Sequence, residues 1–229
     1  MTQEIRAGES VESGDKICFR EALKIQRWDD HRYYHHSRIN QSLHLFSSIC
    51  FMATYAMLLV NPTAAVMIGW IVAMWARQIG HFFFEPKTYD EVNHATHDYK
   101  EDIKVGYNLH RKRILQSIWA IMPLVLYVYP SMFGLLEPAA DWSEYVYNLS
   151  MAWLWLAIAA LTFRTVHLFF IREIQTGLVW ATKILTDPFN DFKTYLKSPL
   201  YLAKGELIDP MIHAQEEEET DEHEPAAAH

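Results

Sequence analysis

Four long apolar blocks, separated by segments that hold nearly all of the charge, constrain this chain more than any other feature. They run from Leu43 to Val60, Thr63 to Phe84, Ile114 to Leu136 and Tyr145 to Ile171. Each holds about 18–27 residues, and about 20 apolar residues in helical form span a bilayer. Each is apolar all round rather than along one stripe, unlike a helix of a soluble bundle. The expected fold is all-α: a polytopic membrane protein whose four transmembrane helices form two antiparallel hairpins, with interfacial helices beside them. The mean hydropathy of -0.08 hides this division, because it averages blocks and charged segments together.

Charge sets the expected orientation. The twenty Lys and Arg fall in the N-terminal segment, between Glu85 and Arg113, after the fourth block, or near the matching block ends as Arg77 and Arg164. The turns Asn61-Pro62 and Glu137–Glu144 contain none. Positive residues accumulate on the cytoplasmic side, so both termini are expected there, in what the simple topology suggests is a bacterial inner membrane. The expected organisation is a cytoplasmic or interfacial segment 1–42, a membrane domain 43–171 with a histidine-rich cytoplasmic loop at 85–113, an interfacial amphipathic segment 172–210, and a disordered acidic tail 211–229. Seven acids from Glu216 to Glu224 account for most of the net charge of -8, and a run of like charges cannot bury a core. The two cysteines, Cys18 and Cys50, form no CxxC motif and no disulfide framework. No basic patch stands apart from the membrane flanks, so nucleic acid is not an expected partner.

All twelve histidines fall on the cytoplasmic side of this topology. His44 precedes Asn61 by 17 residues and His81 follows Pro62 by 19, which at 1.5 Å per residue puts them about 26 and 28 Å from the turn. Two antiparallel helices would thus carry both imidazoles to one depth, near the inner edge of the hydrocarbon, where ionisable groups are costly and functional. Asn40 lies one turn before His44 and His36 one turn before Asn40, while Glu85 lies one turn after His81. Imidazoles with a carboxylate suit a divalent transition metal, and two His with one carboxylate form a ligand set for non-haem iron(II). A second cluster in the loop comprises His94, His97, Asp98 and Glu101, with His110 beyond; it either completes the site, forms another metal centre or is a solvated helix. Arg164 and His167, one turn apart in the fourth block, are candidates to meet a fatty-acid carboxylate or to reach the interface.

The segment Tyr34-His35-His36-Ser37-Arg38-Ile39-Asn40-Gln41-Ser42-Leu43-His44 reads YHHxxxNxxxH, and Gly80 to Glu85 reads GHxxxE one helical pair later. Together these resemble the small membrane proteins related to the fungal endoplasmic-reticulum 2-hydroxy fatty acid dioxygenase. The resemblance covers roughly Tyr33 to Pro86 and carries over His35, Asn40, His44, Gly80, His81 and Glu85. It implies an Fe(II)-dependent oxidation that shortens a 2-hydroxy fatty acid by one carbon, with dioxygen as co-substrate. It favours His35 as a ligand, where helical spacing favours His36. The family's usual Gln three residues before the Gly is replaced here by Arg77, and the sequence after Glu85 also departs from the family's pattern.

The expected function is therefore a membrane iron oxygenase acting on a lipid-derived 2-hydroxy acid, with His35, His44 and His81 as ligands and Glu85 as a ligand or its orienter. One alternative is a haem-binding electron-transfer protein using imidazoles such as His44 and His167. Another is a di-iron lipid hydroxylase or desaturase, although its usual HxxxH and HxxHH boxes are missing. The topology has a direct test. In a background lacking Cys18 and Cys50, an impermeant thiol reagent should label Asp141→Cys from outside intact cells; labelling only from the cytoplasmic side overturns the assignment.

Overall fold

The computed structural model describes residues 17–85, 87–91 and 93–211, so the acidic run of the tail lies outside the described residues. The described residues are helical and contain no strand; two isolated bridges join Ser37 to Ile208 and Asp90 to Ala95. Helix α1 spans Phe19–Tyr34, α2 spans Arg38–Met57 and α3 spans Pro62–Phe84. They are followed by α4 (His97–Ile103), α5 (Leu109–Val128), α6 (Trp142–Ile171), α7 (Ile174–Tyr195) and α8 (Ser198–Ala203). Side-chain caps start five of them: Ser37, Asn61, Thr96, Asn108 and Asp141 each accept a hydrogen bond from a backbone N–H three residues on. Asn61 is also followed by proline at the first helical position, where a missing N–H costs nothing.

Two helices, α3 and α6, are long and apolar enough to cross a membrane. The other two expected blocks look different once folded. Helix α2 buries a polar face of Asn40, Gln41, His44, Ser47 and Ser48 and exposes Phe46 and Ile49. Helix α5 stops at Val128 instead of continuing to Leu136, because Pro130 disfavours helical backbone at Tyr129 and has no N–H to donate. The chain then turns through Met132, Phe133 and Gly134, all at positive φ.

The seam between α2 and α3 is close because α3 presents small residues to it. Ser47 Oγ donates to the Ala73 carbonyl at 2.8 Å, and a Cβ at Gly69 would lie 3.1 Å from Thr54 Cγ2. Small residues of this kind let membrane helices approach backbone to backbone. Helix α3 is also partly π-helical, over Ile68–Met74 and Gly80–Phe84. Such wide turns recur at functional sites, and the second one carries His81 inward while Phe83 and Phe84 stay exposed.

Helix α7 falls in the segment expected to be interfacial, and it packs against α1, α2 and α6. Lys183, Asp187, Asp191 and Tyr195 recur every fourth residue and are all buried, whereas Ile184, Leu185 and Phe189 are exposed. Its polar stripe thus faces the interior. Lys183 Nζ reaches Asp30 at 2.6 Å and Asp187 at 2.8 Å, and Arg27 donates to Thr186 at 2.7 Å, which binds α1 to α7. Burial pushes the Asp30 carboxyl up, but the charge of Lys183, its hydrogen bond and the charge of Lys104 outweigh it and hold the group below its ordinary range. At the opposite end of the bundle, Val66, Trp70, Leu126, Leu149 and Trp153 form an apolar core. Helix α6 leaves Trp155, Phe163 and Phe170 exposed.

A strap formed by residues 206–211 closes the α1–α2 junction. Arg38 N donates to the Leu207 carbonyl at 2.9 Å and Asp209 N to the His36 carbonyl at 2.7 Å. The buried Arg38 guanidinium pairs with Glu206 and, at 2.7 Å, with Asp209. Removing both partners of a buried cation costs about 3–5 kcal/mol. A chain ending at Met211 should therefore keep its thermal midpoint in detergent, while one ending at Gly205 should lose roughly 6–20 °C. Equal midpoints for the two truncations would show that the strap contributes nothing.

Candidate metal centre

The site begins with a break in the helix. Helix α1 ends at Tyr34, α2 starts at Arg38, and the carbonyls of Tyr34 and His35 are left without helical partners. The next two side chains satisfy them: Asn40 Nδ2 donates to the Tyr34 carbonyl at 2.9 Å and Gln41 Nε2 to the His35 carbonyl at 2.8 Å. Gln41 is held in turn by Arg38 at 2.9 Å and by Ser198 at 2.7 Å. This break turns His35 into the bundle and His36 away from it.

His35, from the break, meets His44 of α2 and His81 of α3. One ring nitrogen from each lies within 4.8 Å of the others, and among the described residues this is the one such group of three or more potential metal ligands. Ring centroids are 4.2 Å apart for His35 and His44, 5.2 Å for His35 and His81, and 4.9 Å for His44 and His81. The rings of His44 and His81 meet across the α2–α3 pair. All three residues are buried, His44 completely. Both nitrogens of His35 and Nε2 of His44 have no hydrogen-bond partner. Burial, and next the neighbouring His44, hold the His35 imidazole well below its usual range, so it is a neutral lone-pair donor.

The remaining nitrogens face carboxylates. His81 Nδ1 lies 2.7 Å from Glu85 Oε2, and His44 Nδ1 lies 3.4 Å from Asp191 Oδ2. A carboxylate at Nδ1 fixes the tautomer and turns Nε2 outward, the arrangement found behind metal-binding histidines. Asp191 also accepts from Arg77 at 2.5 Å. The arginine that departs from the family pattern thus balances the carboxylate behind His44. Asp191 and Tyr195, whose ring borders His35 and His44 at 5.7 and 6.2 Å, escaped the sequence reading. The signal was present in the four-residue stripe of α7, but periodicity does not say whether a stripe faces in or out.

Asn40 lies against Gly80. Its amide oxygen occupies the space that a Cβ there would need, so only glycine fits at position 80 with Asn40 in place. The other candidates lie outside the cluster. His36 Nε2 pairs with Asp90 at 3.2 Å and meets the Asn93 amide at 3.2 Å, fastening the loop to the helix break. His94 sits at positive φ before α4 begins at His97, so the two do not share a helical face. Glu101 accepts from Leu109 N at 2.6 Å and from Lys104 at 3.4 Å, while His94 and His110 are exposed. Arg164 holds the carbonyls of Val105, at 2.6 Å, and Gly106, and bonds His167 at 2.9 Å. That arginine secures the loop and does not line the cavity described next.

A cavity of about 560 Å³ opens beside His81. Arg77, Gln78, Lys104, Lys112 and Lys183 line it near the imidazoles, and Phe51, Leu58, Val66, Trp70, Trp119 and Trp153 line it toward the other end of the bundle. Its size lies within the roughly 300–1,000 Å³ of small-molecule sites.

No curated protein and no solved structure matches the chain. A sequence family does match: residues 25–94, which contain His35, Asn40, His44, Gly80, His81 and Glu85 and stop short of Lys112, Asp191 and Tyr195, are similar to the family described as 2-hydroxy-palmitic acid dioxygenase Mpo1-like, and that is the family this chain resembles.

Proposed function

We propose that this chain is a membrane-embedded, iron(II)-dependent oxygenase that shortens a 2-hydroxy fatty acid by one carbon. The observation that carries the reading is the meeting of three buried imidazoles, two of which (His35 and His44) have unpartnered nitrogens, while the third, His81, lines a largely apolar cavity. The resemblance over residues 25–94 supplies the class of substrate and reaction. Three neutral imidazoles fit a divalent transition metal, iron among them. In this reading His35, His44 and His81 hold the metal, and Glu85 and Asp191 orient His81 and His44. Iron(II) bound there would supply dioxygen activation and a chelating position for the acid and hydroxyl groups.

The overall conversion balances without a further reductant. One 2-hydroxy acid and one dioxygen yield the acid one carbon shorter, one carbon dioxide and one water. The chain's own part is to bind the acid, keep its tail from water and leave the metal open on the cavity side. The four-span topology with cytoplasmic termini belongs to this reading, and the exposed Trp155, Phe163 and Phe170 of α6 and Ile121 and Leu124 of α5 support contact with lipid. His167 stacks on Phe163 and does not approach the cluster as a second axial ligand would.

Anaerobically purified protein should contain about one iron per chain, with no Soret band, and should consume dioxygen when given a 2-hydroxy fatty acid. His44→Ala and His81→Ala should each lose the iron and the turnover while the protein stays in the membrane. Glu85→Gln and Asp191→Asn should lower affinity or activity by about 10–100-fold. His94→Ala should keep full iron. Stoichiometric zinc in place of iron, or iron retained in both His44→Ala and His81→Ala, would overturn the proposal.

A further inference from the structure

Four cationic side chains line the cavity, and three of them have protein partners. Lys183 pairs with Asp30 and Asp187, at 2.6 and 2.8 Å. Arg77 pairs with Asp191 at 2.5 Å. Lys104 meets Glu101 at 3.4 Å and stands 3.5 Å over the Tyr34 ring. Lys112 is different: it makes no hydrogen bond or ion pair with another described residue. The acids nearest to it are already engaged, Glu85 with His81 at 2.7 Å and Asp30 with Lys183. One turn further along α5, Gln116 lines the same wall, and its amide nitrogen is buried without a partner. Burial, and next the charge of Lys104, pull the Lys112 ammonium down to about 7. A cation so placed is short of negative charge.

The rest of the cavity states what kind of anion fits. Away from His81 the walls are aromatic and aliphatic, and Trp70, Trp119 and Trp153 pack together with centroids 4.3 and 5.5 Å from Trp70. A ligand that satisfies both ends has one anionic head and one apolar tail.

Building on the oxygenase reading, we infer that Lys112, assisted by Gln116, is the carboxylate anchor of the substrate, and that the acyl tail runs from it into the cavity toward Trp70, Trp119 and Trp153. Lys112 then fixes which end of the acid lies beside His81. It also selects free acids over esters and alcohols, since an uncharged head leaves the ammonium unpaired. Lysine acts here as a point charge, so arginine should replace it in part and methionine should not.

The test uses purified protein kept anaerobic, so that nothing turns over, titrated with hexadecanoate and with hexadecanol. Lys112→Met should weaken hexadecanoate binding by about 10–100-fold, the range for losing a hydrogen bond to a charged group. Lys112→Arg should recover most of the affinity. Hexadecanol should bind Lys112→Met at least as tightly as wild type, which also certifies that the variant is folded. Gln116→Leu should weaken hexadecanoate binding by a smaller factor than Lys112→Met. Iron content should be unchanged in all of them. Equal hexadecanoate affinity in wild type and Lys112→Met overturns the anchor, as does loss of iron from Lys112→Met, which would assign the lysine to Glu85 instead. The two readings fail separately. Lysine-dependent binding without dioxygen consumption would remove the oxygenase and leave the anchor, while turnover with an unchanged KM in Lys112→Met would do the reverse.

Discussion

Three imidazole nitrogens that are buried and have no protein partner are the constraint on which the rest of the structure depends. Each such atom costs about 1–3 kcal/mol if nothing satisfies it. The surrounding chain is organised to keep them there rather than to relieve them. Glycine at position 80 leaves room for Asn40, and Asn40 and Gln41 hold the break that delivers His35. Glu85 and Asp191 take the Nδ1 positions of His81 and His44, which leaves the Nε2 positions free to converge. A metal would convert the cost at one nitrogen of His35 and at Nε2 of His44 into binding free energy.

Most of the charged groups around the centre are paired, and the pairing reaches across most of the molecule. Arg77 of α3 and Asp191 of α7 neutralise one another behind His44, and Lys183 ties Asp30 of α1 to Asp187 of α7. The loop is fastened by His36 with Asp90 and by Lys100, which donates to the Tyr33 carbonyl at 3.3 Å. The strap at 206–211 closes the remaining side through Arg38. Removing one member of such a network leaves a buried charge uncompensated. Around the centre the bundle is thus polar within, while many apolar side chains face outward.

Some of this was legible early. The depth match of His44 and His81 follows from helix rise and a capped proline turn, two local properties that tertiary packing leaves alone. The choice between His35 and His36 was not legible from spacing, because spacing assumes an unbroken helix. The break at 35–37 depends on Gln41, Ser198 and the strap residue Asp209, the last two some 160–170 positions away. The relation between the loop histidines was not legible for a similar reason: the positive φ at His94 ends any helical relation to His97.

The sequence by itself determined that the chain is helical, which segments are apolar, and that two histidine motifs face each other across a turn, because each of these rests on periodicity, composition or caps within a few residues. Only the tertiary structure decided that α7 turns its charges inward, that Asp191 stands behind His44, and that Lys112 looks into a cavity beside the imidazoles. Those facts concern which face of an amphipathic helix meets which neighbour. A repeat of four residues has the same form whether water or protein lies opposite, so only packing can settle the side.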